Sequence, residues 1–365
     1  MLKIELIQPR QPYGVLIIGN FLSEITGAHS ASEDLAVALK PYFREILTTS
    51  SQRYRPLRLF SMVAAVARHR RRYQVAVVNV FSGRAFMWAE ITSKILSAMG
   101  KKVILALHGG ALPQFAMKHP QKVTRLLAGA ASVIAPSEYL ATAMRPYRPD
   151  IQVIPNGIFL DRYSVRTQPS LKRLLWLRAF HEIYNPSMAI DALSRVLEKY
   201  ADVTLEMVGP DKGDGSLERC RERAREKGVL DKVVFRNAIR KEEVPQALQR
   251  GDIFLNTASV DNTPVSVIEA MAAELCVVST DVGGIPYLLK QGHDALLVRA
   301  GDSDQMAAAI ETLICAPEEA IAMARRARHT VEGFDFPCVV RKWCSVLESA
   351  RISGNPAQAA EEECY

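Results

Sequence analysis

The sequence predicts an α/β protein made of two doubly wound domains, each with a parallel sheet covered by helices. Its 365 residues, 48% of them hydrophobic, suffice for two large cores. Short apolar runs, typical of strands buried on both faces, alternate with helix-like segments from end to end. The composition turns polar over residues 161–172, which indicates a linker between two similar halves. Two domains imply a cleft.

The predicted strands follow one another in both halves. The first half contains "GVLIIGN", "QVAVVNV", "KKVILALH", "ASVIAPS" and "IQVIPNG". The second half contains "KRLLWLRA", "DVTLEMVG", "KVVF", "DIFLN", "LCVVST" and "ALLV". We therefore predict domains at residues 1–165 and 166–333, a final amphipathic helix at 334–351 and a disordered tail at 352–365.

The charge and the cysteines narrow the functional classes. A formal net charge of +7 favours anionic partners such as nucleotides, lipid phosphates or a membrane surface. The six cysteines are scattered and show no C-x-x-C, so we expect reduced packing residues. The sequence has no secretory signal and no apolar window near the roughly 18 residues that span a bilayer. We therefore expect a cytoplasmic protein.

Residues 53–73 are strongly basic, with apolar residues at helical spacing between the arginines. The arginines are Arg53, Arg55, Arg58, Arg68, Arg70, Arg71 and Arg72. One interpretation is a surface helix with solvated ends. The other is peripheral docking on an anionic membrane face, which basic residues favour by about 1 kcal/mol each.

The loops after the predicted strands are the candidate sites, because doubly wound sheets bind ligands at the carboxyl ends of their strands. None fits G-x-G-x-x-G after the first strand, and "GPDKGDGS" at 209–216 lacks the Gly-Lys-Ser/Thr ending of a P-loop. The sequence therefore does not support nicotinamide-dependent hydride transfer or P-loop phosphoryl transfer.

The segment "DNTPVSVIEAMA", residues 261–272, predicts a helix start that binds an anion. Thr263 suits the N-cap, and Pro264 suits the first helical position, where its missing N–H costs nothing. The free N–H groups of Val265 and Ser266 would then point from a positive helix end towards a diphosphate.

Two carboxylates flank this helix start. Glu269 stands among apolar residues, far enough along the helix to reach past a phosphate to the hydroxyls of a neighbouring sugar. Asp261, before the cap, would meet the other side of the same ligand. The alternative is a capped core helix in which a nearby arginine satisfies Glu269.

The longer segment at 261–289, "DNTPVSVIEAMAAELCVVSTDVGGIPYLL", resembles the GT-B glycosyltransferases of the retaining family 4, also called glycosyl transferases group 1. Their second domain carries an E-x7-E signature, then E-A-M-A, a strand and a Gly-Gly loop. The resemblance extends over nearly the whole chain through "LHGG" at 107–110, "APSEYL" at 135–140, "VIPNGI" at 153–158 and "LRAFHEIYNPSMAI" at 177–190. It implies two Rossmann-like domains facing a cleft, the first on the acceptor side and the second binding the nucleotide sugar.

The resemblance also implies roles for charged residues of the second half. Glu269 would hold the ribose of the donor, Asp261 would contact hydroxyls of the transferred sugar, and Arg178 would neutralise the diphosphate. A lysine that shares this load in the family has no counterpart in "EIYNP". Arg173 or Lys172 could supply the charge.

Further site residues are implied in other loops. On its own, a histidine after a strand is more often a local hydrogen-bonding residue, but the resemblance places His108 beside the donor sugar. The loop at Gly19 would face the acceptor and the leaving phosphate, and the backbone of "RNAI" at 236–239 would pair with the nucleobase. The candidate catalytic residues are His108, Arg178, Asp261 and Glu269, and the candidate donor-binding residues are Gly19, Asn20, Gly109, Gly209, Asn237, Ile239, Thr263, Pro264, Val265 and Ser266.

Three residues depart from the family pattern. Asp261 replaces the usual glutamate, Glu274 stands where glycine is common, and Tyr287 stands where an acid is common. The D-x-D at Asp302 and Asp304 is predicted to be an N-cap and a helix start, not a metal site. We expect no metal and no other cofactor.

These observations predict a hexosyltransferase (EC 2.4 type). It would move a hexose-type sugar from a nucleoside-diphosphate sugar to a glycan or lipid-linked saccharide in polysaccharide or glycoconjugate biosynthesis, and the resemblance implies retention of configuration. We expect no nucleic-acid partner. The alternatives are a sugar epimerase or phosphorylase of the same fold, and a nucleotide-sugar-binding protein with weak or no turnover.

Overall fold

The chain divides into two compact units. The first is Met1–Gly157 with Phe336–Tyr365, and the second is Ile158–Asp335. The computed structural model describes residues 10–19, 21, 30–50, 55–165 and 170–352, and of residues 55 and 56 the backbone alone. Within the described residues, each unit contains a six-stranded sheet whose neighbouring strands are all parallel, as predicted.

The first unit is doubly wound. Its strands are β1 Gln11–Ile18, β2 Phe43–Thr49, β3 Val75–Val80, β4 Lys102–Leu107, β5 Ser132–Ala135 and β6 Gln152–Val153. Its helices include α1 Ala31–Leu39, α2 Arg55–Arg68, α3 Arg84–Ala98, α4 Leu112–Lys118, α5 Pro120–Ala128 and α6 Glu138–Met144. The sheet order is β2-β1-β3-β4-β5-β6, so the order reverses between β1 and β3. The carboxyl ends of these two strands form the switch point where such sheets bind ligands.

The second unit is also doubly wound, with a different strand order. Its strands are β7 Arg173–Leu177, β8 Thr204–Val208, β9 Val233–Arg236, β10 Ile253–Asn256, β11 Cys276–Thr280 and β12 Leu296–Val298. Its helices are α7 Ser187–Val196, α8 Ser216–Glu226, α9 Val244–Leu248, α10 Val265–Ala272, α11 Ile285–Leu288, α12 Ser303–Cys315 and α13 Pro317–Val331. The order β12-β11-β10-β7-β8-β9 puts the switch point between β7 and β10.

The central strands are buried on both faces, as continuous apolar runs predict. All six residues of β3 are buried. In β7, Leu174 and Trp176 pack into one apolar cluster and Leu175 into another, because successive side chains of a strand point to opposite faces.

The last helix, α14 Phe336–Ile352, lies in the first unit although it follows the second in the chain. The sequence predicts this helix at 334–351. A Cβ on Gly157 would lie 2.5 Å from the Phe336 ring, and Tyr13 Oη donates to Glu348 at 3.0 Å. These contacts join α14 to the segments of the first unit.

The division of the chain differs from the predicted boundary at 165. The Ile158 N–H donates to the Phe334 carbonyl at 3.0 Å, and Tyr163 is buried in the second unit's core. Residues 158–165 therefore lie in the second unit, through long-range contacts that local composition does not reveal. The predicted disordered tail falls outside the described residues from 353 onwards. No described helix is both long enough and apolar enough to cross a membrane.

Candidate functional site

Arg178 and Asp261 meet at the switch point of the second unit. Arg178 directly follows β7, Asp261 lies in the loop after β10, and these two strands are neighbours in the sheet. Arg178 Nη2 lies 2.9 Å from Asp261 Oδ2, and Nη1 donates to Ser266 Oγ at 3.3 Å. The guanidinium also lies 4.3 Å from the centroid of the Tyr184 ring. Three residues singled out from the sequence are thus brought together.

Glycines let other backbones approach this pair closely. A Cβ on Gly209 would overlap the carbonyl oxygen of Arg178, so only glycine fits beneath that residue. A Cβ on Gly283 would overlap the carbonyl oxygen of Asp261, and the Gly284 N–H donates to that oxygen at 3.1 Å. The Gly-Gly loop after β11 therefore supports the loop that carries Asp261.

The Asp261 carboxylate is buried, with 8% of the residue exposed. Burial raises its pKa, while the charge of Arg178 acts in the opposite direction. The Asn262 N–H donates to Oδ1 at 2.9 Å. A carboxylate has about four lone-pair sites, so this one retains acceptor capacity for hydroxyl groups of a ligand.

The helix α10 begins one residue later than predicted. Pro264 is its N-cap, with an extended ψ of 119°, and the Pro264 carbonyl accepts from the N–H groups of Val267 and Ile268. The prediction of Thr263 as N-cap is therefore wrong, and Thr263 Oγ1 is buried without a hydrogen-bond partner among the described residues. The N–H groups of Val265 and Ser266 still belong to the first turn, where no intrahelical acceptor is available.

Glu269 lies within α10 and is 3% exposed. Tyr163 Oη donates to its Oε1 at 2.9 Å, and Lys241 Nζ donates to the same oxygen at 2.5 Å. The alternative in which an arginine satisfies Glu269 is therefore wrong about the residue type. Neither partner was predicted from the sequence, because they lie 106 and 28 positions away in the chain.

The other cations considered from the sequence have partners elsewhere. Arg173 donates through Nε to the buried Asp252 at 3.0 Å, and Lys172 Nζ lies 2.5 Å from Asp202. Lys241 lies next to the site instead, four residues after Asn237 in the segment that follows β9. Asn237 is exposed and Ile239 is half-buried against the apolar cluster that contains Leu175.

A polar cluster marks the switch point of the first unit. Gly19 follows β1, and a Cβ on it would overlap the Asn79 side-chain amide at the end of β3. Asn79 Nδ2 donates to Ser32 Oγ at 2.6 Å, and Asn79 Oδ1 lies 3.2 Å from His108 Nε2. Asn79 was not predicted as a site residue, although it is the one polar residue in the apolar run "VAVVNV".

His108 is held as a neutral imidazole. Burial lowers its pKa to about 4. Because Asn79 presents its oxygen, Nε2 carries the proton and Nδ1 is an acceptor. The Phe81 ring stacks on the imidazole at a centroid distance of 5.2 Å. Gly109 follows in the left-handed region with φ 87°. Asn20 lies outside the described residues.

Asp302 caps α12, accepting from the Gln305 N–H at 2.9 Å, which confirms its predicted role. Asp304 pairs with Arg195 at 2.5 Å. Within the part of the chain that the structure describes, no group of three or more His, Cys, Asp or Glu residues could hold a metal ion.

Comparison with known proteins gives the family. A family model described as glycosyl transferases group 1 matches residues 172–316, and one described as glycosyltransferase family 4 matches residues 27–162. The chain belongs to this glycosyltransferase family. The match at 27–162 covers most of the first unit and the first five residues of the second, and the match at 172–316 lies within the second unit, so both halves of the chain carry the family signature.

Curated relatives of this glycosyltransferase include enzymes named for lipid substrates. The phosphatidyl-myo-inositol mannosyltransferase of Mycobacterium leprae is 29% identical over 221 residues, 58% of this chain and 57% of that protein. The GDP-mannose-dependent alpha-(1-6)-phosphatidylinositol monomannoside mannosyltransferase of Mycolicibacterium smegmatis is 30% identical over 149 residues, 39% of this chain and 38% of that protein. The chain thus spans less than two thirds of the length of these relatives.

Solved structures identify the fold of this glycosyltransferase as GT-B. Anabaena HepE in complex with UDP and glucose has a TM-score of 0.74 at 19% identity, over 92% of this chain and 100% of that chain. The sucrose-phosphate synthase from Thermosynechococcus elongatus has a TM-score of 0.74 at 16% identity, over 92% of this chain and 98% of that chain.

Proposed function

We propose that the protein transfers a hexose-type sugar from a nucleoside-diphosphate sugar to a saccharide or lipid-linked acceptor, with retention of configuration. The observation that carries this proposal is the convergence of Arg178, Asp261 and Ser266 at the start of α10, with Glu269 further along the same helix. The UDP and glucose in the HepE complex and the names of the lipid-modifying relatives support it.

The second unit would bind the donor. Arg178 and the free N–H groups of the first turn of α10 supply positive charge where the diphosphate leaves, which stabilises the transition state. Asp261 would accept hydroxyl groups of the transferred sugar, and Glu269 those of the ribose. Asp261 and Ser266 hold the guanidinium in place before any ligand arrives, so little reorganisation is required.

Retention fits a site in which no protein nucleophile is required. The glycosidic carbon loses the diphosphate oxygen and gains the acceptor oxygen on the same face. The acceptor's proton passes to the departing diphosphate oxygen, so charge and atoms balance. The protein contributes orientation and charge stabilisation. In the first unit, His108 remains a proposed catalytic residue, and as a neutral imidazole it would add no charge.

The proposal includes contact between α2 and an anionic membrane surface. On this helix Phe60 is 73% exposed and Leu57 is 55% exposed. Large exposed apolar side chains among arginines are typical of helices that bind the surface of a bilayer. A lipid-linked acceptor would be reached from that surface.

A ligand screen followed by product analysis tests the proposal. The first step is thermal unfolding with a panel of nucleoside diphosphates and nucleotide sugars, since a ligand at 100 times its Kd adds about 2.7 kcal/mol of stability. The second is incubation of the stabilising donor with saccharide and lipid-linked acceptors, with the anomeric configuration of the product read by NMR. We expect transfer with retention, and loss of transfer in Arg178→Ala. A free sugar isomer would indicate an epimerase, and tight binding without hydrolysis or transfer would indicate a binding protein.

A further inference from the structure

Among the described residues, the buried carboxylate of Glu269 accepts hydrogen bonds at only one of its two oxygens. Tyr163 Oη and Lys241 Nζ both donate to Oε1, at 2.9 and 2.5 Å. Among the described residues, neither these donors nor any other donates a hydrogen bond to Oε2. Three fully buried polar side-chain atoms of the described residues lack a hydrogen-bond partner, and Oε2 is not one of them, so Oε2 is not fully enclosed. One oxygen of this carboxylate is fixed and the other is open.

We propose that Lys241 and Tyr163 are positioning residues that hold Glu269 by Oε1 so that Oε2 receives the ribose hydroxyls of a nucleoside diphosphate. The proposal rests on the proposed function, which assigns the ribose to Glu269. It adds the two side chains that set the direction and the charge of this carboxylate.

The positive charge of Lys241 stabilises the buried carboxylate of Glu269. A ligand that covers Glu269 removes its remaining water, and an unpaired carboxylate in such a place would take up a proton or cost several kcal/mol. Lys241 places a positive charge against Oε1, and a charge-assisted acceptor forms stronger hydrogen bonds to hydroxyl groups. Tyr163, itself 5% exposed, adds a direction that the flexible lysine does not provide.

The opposite role makes the opposite prediction. If Lys241 occupied the ribose position in the free protein and had to leave, then removing its charge would tighten nucleotide binding. If the pair were merely structural, its removal would lower stability and weaken ribonucleotides and 2′-deoxyribonucleotides by the same factor. The discrimination between these two nucleotides therefore separates the three roles.

The experiment is isothermal titration of the full chain with UDP, GDP, ADP and CDP and their 2′-deoxy forms. Lys241→Met and Tyr163→Phe remove the two donors, Lys241→Arg keeps the charge, and Arg240→Met is the matched control. Arg240 is the neighbouring cation, 77% exposed at its side chain, and pairs with Glu243 instead. Melting temperatures show that each variant is folded.

We expect Lys241→Met to lower the affinity of the bound ribonucleotide about tenfold while changing that of its 2′-deoxy form much less. Tyr163→Phe should give a smaller loss of the same kind, Lys241→Arg should recover most of the affinity, and Arg240→Met should match the wild type. Lys241→Met alone leaves the buried carboxylate of Glu269 without its cation. The double variant Lys241→Met, Glu269→Gln removes both charged groups, and we expect it to bind the ribonucleotide no more weakly than Glu269→Gln alone.

If Lys241→Met discriminates between the ribonucleotide and its 2′-deoxy form as the wild type does, or binds the ribonucleotide more tightly, the positioning role of Lys241 is overturned. The proposed function would remain intact. Absence of binding by the wild type to all four diphosphates would remove the basis of both.

Discussion

At the scale of single residues, Glu269 of α10 and Asp261 of the preceding loop are expected to bind different parts of one ligand. Glu269→Gln should weaken the free nucleoside diphosphate and the complete donor alike, by about 1.5–3 kcal/mol, because both carry the ribose. Asp261→Asn should leave the affinity of the free nucleotide intact and lower turnover, because only the transferred sugar meets Asp261. Titration with nucleotide and donor, beside turnover rates, measures both effects.

The ion pair between Asp261 and Arg178 affects the nucleotide affinity expected for Asp261→Asn. Asp261→Asn removes a charge that lies 2.9 Å from Arg178, so the guanidinium gains freedom to bind phosphate. A modest gain in free-nucleotide affinity is compatible with the division, whereas equal losses for the two variants on free nucleotide contradict it.

His108 gives the protein a stability that depends on pH. Its pKa is about 4 in the folded protein and about 6.5 in an unfolded chain. Between these values the unfolded state binds more protons, so stability is present above pH 6.5 and is lost as the pH falls towards 4. We expect the wild type to lose about 2 kcal/mol more than His108→Gln over this interval, measured by urea unfolding at a series of pH values. Parallel curves for the two proteins would exclude a lowered pKa of His108.

The residues that carry the donor site were accessible to sequence reasoning only in part. Arg178, Asp261 and Ser266 follow neighbouring strands or begin a helix, and the strand-end rule brings such positions together. Tyr163, Lys241 and Asn79 approach their partners through tertiary packing, which no local pattern encodes. The absence of a lysine from "EIYNP" was visible in the sequence, but the position of Lys241 beside Glu269 was not.

At the scale of elements, α10 ends in a strained residue. Glu274 has φ 55°, and the N–H groups of Glu274 and Leu275 donate to the carbonyls of Met271 and Ala270. This is the hydrogen-bond pattern of a helix end that favours glycine at the left-handed position. The family pattern, with glycine at this place, thus has a backbone reason.

Glu274→Gly should therefore stabilise the protein. Releasing the left-handed conformation contributes about 1 kcal/mol, and the ion pair with Arg328 at 3.8 Å offsets only part of it. We expect the free energy of unfolding to rise by about 0.5–1 kcal/mol in urea titrations. Glu274→Gln isolates the ion pair, and a glycine variant less stable than this control would count against the strain.

The start of α10 shows why caps are hard to predict. Thr263 has the residue type that caps helices, but Pro264 cannot donate a backbone hydrogen bond and adopts an extended ψ, which moves the first turn one residue on. The local preference of Thr263 was overridden by the geometry of the next residue.

The element α2, together with the basic residues that follow it, should bind anionic vesicles. Phe60→Ser and the double variant Arg70→Ser, Arg71→Ser should each reduce co-sedimentation with vesicles of anionic phospholipid, because one removes apolar contact and the other charge. Arg72 is better left in place, since it pairs with Glu45.

Binding to neutral vesicles should stay low in all these proteins. Arg299→Ser with Arg325→Ser, at exposed positions of the second unit, removes the same charge elsewhere and serves as the matched control. Equal loss in that control would show that net charge, not α2, governs binding.

At the scale of the whole molecule, the two parallel sheets were predictable because their strands are continuous apolar runs separated by helices. The place where the chain passes between units was not, because it depends on Ile158 pairing with Phe334 and on α14 packing in the first unit. Composition reveals the polar segment at 161–172, whereas tertiary contacts determine the unit to which its residues belong.

The first unit should depend on α14 for its stability. A chain ending at residue 335 lacks the buried side chains of Phe336, Val339 and Trp343. Removing this many large apolar groups exceeds the marginal stability of a typical domain. In hydrogen-exchange mass spectrometry we expect β3 and β4 to lose protection while β7 and β10 keep it. A chain ending at residue 352 retains α14 and should be protected throughout; loss of protection in both units of the shorter chain would contradict the division.

This connectivity also fixes an order in time during synthesis. The second unit is complete once Asp335 has left the ribosome, whereas the first must wait for the 17 residues of α14. At about 5–20 residues per second, that wait lasts on the order of one to three seconds. The unit that is begun first is thus completed after the other. In that interval the nascent chain exposes, to chaperones at the ribosomal exit, the apolar surface that α14 later covers.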